Sequence, residues 1–310
     1  MQLVGDIGGT RSRLAFSSPQ GLLHVRVFAN ADFPDFATLL GQFLTETGVR
    51  PLGGCFAVAG PVADDGRSVH LTNLGWRIEL DALEAHYSLP RLHLVNDFAG
   101  AAMGITVTPP SALVTLQPGQ PLAESLRLVI GAGTGLGVAS LFKGDSRWHV
   151  LPGEGGHIGF APQDEQQDAL CRWLRERHPR VIAEHVVSGS GLASIHAFLC
   201  EQRGIANTAD TPAAVATRAQ AGEVVPLEAF DLFAAVYGAV AGDYALARMA
   251  RGGVFLAGGI AAANLGLMQR GSFMAAFSRK GVYTELIGQM PVHVVTDPLL
   301  GLHGAACFGA

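Results

Sequence analysis

Apolar residues fall along this chain in short blocks that alternate between two periods. Leu3-Val4-Gly5-Asp6-Ile7 and residues 11–17 read as strands around a Gly-Gly turn, and an apolar stretch follows over residues 22–28. Over residues 34–48 the period changes. Phe36, Leu39, Leu40, Phe43 and Leu44 stand at i, i+3, i+4, i+7 and i+8, the spacing of one helix face, and Gly48 supplies the stop. Residues 54–60 predict a buried strand and residues 80–87 a short helix. Leu92-His93-Leu94-Val95 predicts a strand that runs into Asn96-Asp97 and a helix from near Phe98.

The same plan restarts at Leu128, with strands on either side of Gly131-Ala132-Gly133-Thr134-Gly135-Leu136-Gly137. Residues 190–200 predict a helix. Residues 228–251 predict a long one, so poor in charge that an interior place is expected. Val254-Phe255-Leu256-Ala257 is a strand ending in Gly258-Gly259, residues 292–296 are the last strand, and residues 302–308 the last helix. Strands alternating with helices predict α/β architecture with helices on the sheet faces. Pro109, Pro110, Pro118 and Pro121 mark the expected crossover between two domains. The duplication is one of plan, not of literal sequence.

A chain of 310 residues, 49% apolar and 15% charged, has room for two domains with sizeable cores, which excludes disorder. A net charge of −5 argues against a nucleic-acid partner, which leaves a basic stripe. Cys55, Cys171, Cys200 and Cys307 lie far apart without zinc spacing, as expected of reduced core thiols in a cytoplasmic protein. The strand beginning just after Met1 leaves no room for a signal peptide. The uncharged stretches 98–123 and 252–269 are broken by prolines and glycines, so no membrane span is expected.

The candidate chemistry begins with the two glycine turns. Glycine after a strand lets the backbone come close to a ligand, and consecutive amides in such a turn form a concavity for anions. The chain has no Gly-x-x-x-x-Gly-Lys, and Leu136 breaks a Gly-x-Gly-x-x-Gly pattern. Phosphate would therefore be held by backbone N–H groups, Mg²⁺ and Arg11 or Arg13, with Asp6 placed to hold the waters of the metal. Asp97 reads in two ways: as a helix N-cap, or as a general base at the carboxyl end of a strand, where α/β sheets bind ligands. Leu151-Pro152-Gly153-Glu154-Gly155-Gly156-His157 holds Glu-x-x-His among too many glycines for a helix. It is either a flexible polar loop or a rigid one that offers a carboxylate and an imidazole to neutral hydroxyls. Glu184 alone reads as a solvated surface charge.

Taken together, these segments resemble the bacterial ATP-dependent glucokinases of the hexokinase–actin-like ATPase superfamily. The resemblance runs through Gly5-Asp6-Ile7-Gly8-Gly9-Thr10, Ala57-Val58-Ala59-Gly60-Pro61-Val62, Leu71-Thr72-Asn73, Leu94-Val95-Asn96-Asp97-Phe98, the 131–137 turn, the 151–157 loop, Ala183-Glu184 and Leu256-Ala257-Gly258-Gly259-Ile260. The glycine turns are common to the superfamily; the Pro-Gly-Glu-Gly-Gly-His loop and the Asn-Asp pair are far more specific for a sugar kinase. The resemblance implies a two-domain actin-like ATPase (ribonuclease H-like) fold with a cleft between a small domain, residues 1–107 plus 297–310, and a large domain, residues 108–296.

It also implies transfer of phosphate from MgATP to the 6-hydroxyl of glucose, the first step of glycolysis, with closure of the domains on the sugar. Asp97 would be the catalytic base, and Asn96, Glu154, His157 and Glu184 the sugar ligands. Asp6, Gly8, Gly9, Thr10, Gly133, Thr134 and Gly135 would hold the ATP phosphates, Asp6 would serve Mg²⁺, and Gly258 and Gly259 would lie against the adenosine. Relatives are dimers, so the resemblance implies a homodimer. Arg11, Gly159 and Ser190 depart from residues frequent in the family, which bears on phosphate contacts and sugar selectivity rather than on the reaction class. A kinase for another hexose such as mannose or N-acetylglucosamine, a non-catalytic sugar sensor, and a filament-forming ATPase stay open as alternatives.

Overall fold

In the computed structural model, which describes residues 1–309 apart from 72, 73 and 146, Thr72 and Asn73 of the Leu71-Thr72-Asn73 segment lie outside the described residues. The chain divides into two units. One comprises Met1–Pro109, Trp148–Pro152 and Asp297–Ala310; the other comprises Pro110–Arg147 and Gly153–Thr296. The changeover falls between the two prolines 109 and 110, two residues beyond the expected boundary. The assignment of Trp148–Pro152 to the first unit has no counterpart in the sequence reading.

The first unit opens with an antiparallel meander, β1 (Gln2–Ile7), β2 (Arg11–Ser18) and β3 (Gly21–Ala29). Helix α1 (Phe36–Thr47) follows with the predicted face inward: Phe36, Leu39, Leu40 and Phe43 are buried. Asp35 caps its start by accepting the Thr38 amide at 2.7 Å, and Gly48 ends it with φ 63°, a left-handed conformation that favours glycine. Strand β4 (Gly54–Val58) pairs in parallel with β1. A hairpin of β5 (Ser68–Leu71) and β6 (Trp76–Glu79), not foreseen in the sequence, leads into α2 (Leu80–Tyr87). Strand β7 (Leu92–Asn96) joins β4 in parallel, giving the order β3-β2-β1-β4-β7, and α3 (Asp97–Gly104) follows without a break.

The second unit repeats the plan. After β8 (Leu113–Gln117) come β9 (Arg127–Ala132) and β10 (Leu136–Gly144), and then β11 (Arg147–Gly153), whose central residues Trp148–Pro152 are grouped with the first unit. Four helices follow, α4 (Glu165–Arg175), α5 (Gly189–Gln202), α6 (Pro212–Gln220) and α7 (Val224–Arg248), and then β12 (Gly253–Ala257). Short helices α8 (Gly259–Ala263), α9 (Leu265–Met268), α10 (Ser272–Ser278) and α11 (Thr284–Gly288) precede β13 (Val292–Val295). The sheet order is β11-β10-β9-β12-β13-β8. Strand β9 is antiparallel to β10 and parallel to β12, as β1 is to β2 and β4.

Helix α7 starts four residues before its expected place. Pro226 stands in its first turn, where a missing N–H removes no helical bond, so the proline does not delay the start. By length and composition α7 could cross a membrane, but its Phe230, Phe233, Tyr237 and Ala241 are buried in the core of this unit. Gly238 and Gly242 let α10 come close. A Cβ at Gly238 would collide with the Phe273 carbonyl, and one at Gly242 would lie 2.6 Å from the Phe277 carbonyl oxygen.

The chain ends in α12 (Leu300–Phe308), which belongs to the first unit and packs Leu302 and Ala305 on Val4, Ala15, Cys55 and Ala57. Its contact with α3 depends on glycine from both sides. A Cβ on Gly304 would fall on the Gly100 carbonyl, and one on Gly104 would stand 2.8 Å from Leu300 Cδ1.

Candidate active site

In the first unit the candidate groups gather at the carboxyl ends of three parallel strands. Ile7 pairs with Val58 and Val58 with Asn96, so the ends of β1 and β7 are level across β4. Two interstrand steps separate them by about 10 Å. Asp6 lies one residue before the end of β1, with its Oδ2 3.1 Å from Arg13 Nη1 on β2. Burial pushes the Asp6 carboxyl above its usual pKa, and Arg13 opposes this. Gly301, in the first turn of α12, lies against the same carboxylate: a Cβ there would stand 2.7 Å from Asp6 Cγ.

The turn that follows closes through the Gly8 amide, which donates to the Arg11 carbonyl at 3.1 Å. Asn30, just past β3, braces it. Its Nδ2 donates to the Gly8 carbonyl at 2.8 Å, and its backbone N–H donates to the Thr10 carbonyl at 3.0 Å. The sequence reading did not single out Asn30. Its one signal there is a polar residue closing the apolar run Val27-Phe28-Ala29.

The structure separates the duties of Asn96 and Asp97. Asn96 is the N-cap of α3, and its Oδ1 accepts the amides of Phe98 at 3.0 Å and Ala99 at 3.2 Å. Asp97 is the first helical residue, and its Oδ1 accepts the Phe98 amide at 2.9 Å. The cap considered for Asp97 is thus supplied by its neighbour. With Oδ1 committed to the helix, Asn96 has its Nδ2 donors for any hydroxyl partner.

In the second unit the 133–135 turn, Glu184 and the 155–157 turn meet. Strand β11 carries Leu151, Pro152 and Gly153, so the first three residues of the predicted loop are strand, and a single 3₁₀ turn over Gly155–His157 follows. Glu184 Oε2 accepts the Leu136 amide at 2.8 Å. A Cβ on Gly156 would stand 3.2 Å from that same oxygen, and one on Gly135 would overlap it. Half-buried and locked between two glycine turns, Glu184 is not the solvated surface charge it resembles in isolation. Glu154 and His157 are exposed, joined by a backbone bond of 3.1 Å from the His157 amide to the Glu154 carbonyl. His185 stacks on His178 with ring centroids 3.8 Å apart. Burial lowers its pKa, and His178 and His157 add to that while Glu184 opposes it.

The Gly133 carbonyl accepts the Gly189 amide at the start of α5 at 2.9 Å, which ties the turn to a helix N-terminus. Gly258, with φ 89°, lies against the Ala132 carbonyl at the end of β9, where a Cβ would be 2.6 Å away. Where a Cβ would project from Gly133 or Gly259 there is open space. These are backbones that a ligand can approach. Among the described residues no three His, Cys, Asp or Glu side chains gather into a metal cage. The lone carboxylate of Asp6 fits Mg²⁺, which keeps several waters and takes one or two carboxylates beside substrate phosphates.

Comparison with known proteins agrees with this architecture. Residues 3–310 match the family model described as Glucokinase. The chain is 36% identical to a glucokinase of Nostoc punctiforme over 99% of its own length and 98% of the relative's. A crystal structure of glucokinase from an Antarctic psychrotroph superposes with a TM-score of 0.85 at 34% identity, covering 99% of this chain and 97% of that one. A ROK family glucokinase from Streptomyces griseus, solved in complex with glucose and AMPPNP, shares the fold with a TM-score of 0.72 at 20% identity, covering 99% and 98%. The repeated strand order, the glycine turns at the strand ends and a match over nearly every residue lead to one assignment: the chain belongs to the glucokinase family.

Proposed function

We propose that this chain transfers the γ-phosphoryl group of ATP to the 6-hydroxyl of glucose, with Asp97 as the general base. The observation that carries the role of Asp97 is its place at the first position of α3, at the carboxyl end of β7, while Asn96 performs the capping. As the hydroxyl oxygen bonds to phosphorus and the bond from phosphorus to the bridging oxygen of ADP breaks, the hydroxyl proton passes to Asp97 and then to solvent. Phosphoryl transfer of this kind depends mainly on positioning and charge stabilisation. Glu154 and Glu184 accept hydrogen bonds from sugar hydroxyls, a task suited to ionised carboxylates. His157 both donates and accepts, and Asn96 donates.

Gly8, Gly9 and Thr10, with Gly133, Thr134 and Gly135, hold phosphate oxygens through backbone amides. Gly258 and Gly259 lie against the nucleoside. Bound Mg²⁺ would neutralise charge on the phosphates, with Asp6 holding its waters. The same reading takes the protein as a cytoplasmic homodimer with no nucleic-acid or membrane partner; light scattering of the purified protein tests the dimer. The deciding experiment measures ADP release with and without glucose, across mannose, N-acetylglucosamine and other hexoses. Glucose should give the highest kcat/KM. Preference for another hexose would change the substrate, and no sugar-dependent turnover would remove the activity.

A further inference from the structure

We infer that Asn30 is a positioning residue that sets the direction of the phosphate-facing amide in the 8–10 turn, an inference that rests on the proposal that this turn holds ATP phosphates. Asn30 is 2% exposed and Ser12, beside it, is fully buried. The backbone N–H and both side-chain polar atoms of Asn30 meet the turn or its brace, while its carbonyl accepts the Phe33 amide. Nδ2 donates to the Gly8 carbonyl at 2.8 Å, Oδ1 accepts the Ser12 hydroxyl at 2.7 Å, and the backbone N–H donates to the Thr10 carbonyl at 3.0 Å.

The consequence follows from peptide geometry. The described peptide bonds are trans, and in a planar trans peptide the C=O and the following N–H point in opposite directions. Drawing the Gly8 carbonyl onto Asn30 therefore turns the Gly9 N–H away from it. Glycine stands on both sides of this peptide and rotates with little steric restraint, so beyond the closure of the turn from the Gly8 amide to the Arg11 carbonyl its plane depends on the hydrogen bond from Asn30. An anion-binding turn requires its amides to converge, and this chain has no Gly-x-x-x-x-Gly-Lys lysine to compensate for a misdirected one. Ser12 completes the device: its hydroxyl holds Oδ1 and so keeps the Nδ2 end facing Gly8.

The test compares Asn30→Asp, which keeps the shape and loses the donor, with Ser12→Ala, which keeps the donor and loosens it. The readouts are the equilibrium Kd for ADP by calorimetry, the KM values for ATP and glucose, and the melting temperature. Asn30→Asp should weaken ADP binding and raise the ATP KM about tenfold, the scale of one unmade hydrogen bond to a buried group. The glucose KM should stay within twofold, and Ser12→Ala should shift ADP binding in the same direction by less. A folded Asn30→Asp that binds ADP within twofold of the parent would overturn the inference. Should Asn30→Asp not fold, Ser12→Ala decides in the same way: an unchanged ADP Kd overturns the inference and a threefold or greater rise supports it. Gly8→Val, whose Cβ would press on the Arg11 carbonyl oxygen from 3.1 Å, separates the role of Asn30 from the phosphate role of the turn. If it too leaves ADP binding unchanged, the phosphate role of the turn is what has failed.

Discussion

Replacing Asp97 by Asn tests the proposed proton transfer while keeping the shape of the side chain. The asparagine side chain has the same shape and keeps an Oδ1 that can accept the Phe98 amide, now made at 2.9 Å. What it loses is a carboxylate able to take a proton. It also loses a negative charge at the first position of α3, where the charge interacts with the helix dipole for about 0.3–1 kcal/mol. General-base catalysis is worth about 10²–10⁴-fold, or about 2.7–5.4 kcal/mol of barrier at 1.36 kcal/mol per decade. The catalytic loss should therefore exceed any stability loss several-fold. The assay couples ADP release to a chromogenic reaction at saturating glucose and ATP, while calorimetry follows glucose binding and a thermal melt follows the fold. The expected result is a kcat lower by at least a hundredfold, with a glucose Kd within about threefold and a melting temperature within a few degrees. A kcat within threefold of the parent would remove Asp97 from the chemical step.

Asn96→Ala deletes the cap that holds the Phe98 and Ala99 amides; it should cost about 0.5–2 kcal/mol in a denaturant melt and lower kcat, because α3 carries Asp97. Glu184→Ala leaves the Leu136 amide without its acceptor, so a stability loss of about 1–3 kcal/mol should accompany a raised glucose KM, and an unchanged KM would confine Glu184 to a structural role. Gly304→Ala sets a methyl group against the Gly100 carbonyl and should cost about 1–3 kcal/mol by overpacking, read as a lower melting temperature. His196 has its pKa lowered by burial first, with Arg218 adding to this and the Asn207 hydrogen bond opposing it. The unfolded chain therefore binds the proton first as pH falls, so stability should drop below about pH 6.5 toward the folded-state value. His196→Gln should flatten part of that slope between pH 7.5 and 5.5, and an identical slope would refute the assignment.

The elements read correctly from sequence are those whose local signals agree with one another. Helix α1 has a clean apolar face, an Asp cap and a glycine stop, and its described limits fall within two residues of the expected ones. The turns after β1 and β9 were legible because glycines follow apolar runs. The β5–β6 hairpin was not, because its alternation spans only four residues per strand. Strand β8 lay hidden among the prolines taken as a crossover, and only its antiparallel pairing with β13 makes it a strand. In the site, the Asn96–Asp97 pair was visible, but which of the two caps α3 depends on backbone angles that residue types do not encode. Glu184 gains its meaning from Leu136, 48 residues away, and Asn30 from Gly8, 22 residues away. Contacts of that separation leave no local pattern.

A common thread joins the candidate groups of the first unit: each is held by, or packed against, an element whose own packing requires the absence of a side chain. Asp97 begins α3, and α3 meets α12 through Gly100, Gly104 and Gly304. The same α12 lays Gly301 against Asp6, two strands away from Asn96 in the sheet. One short helix thus touches both the helix that begins with the proposed base and the carboxylate beside the 8–10 turn. Because close-packed interiors transmit displacement rather than absorb it, a methyl group added at Gly304 must push α12 and α3 apart, moving α3 outward or α12 onto the sheet. Either movement changes the spacing between Asp97 and Asp6, and a reaction that depends on placing an attacking oxygen in line with phosphorus is sensitive to that spacing. The C-terminal helix, which carries no candidate catalytic side chain, is in this sense part of the machinery.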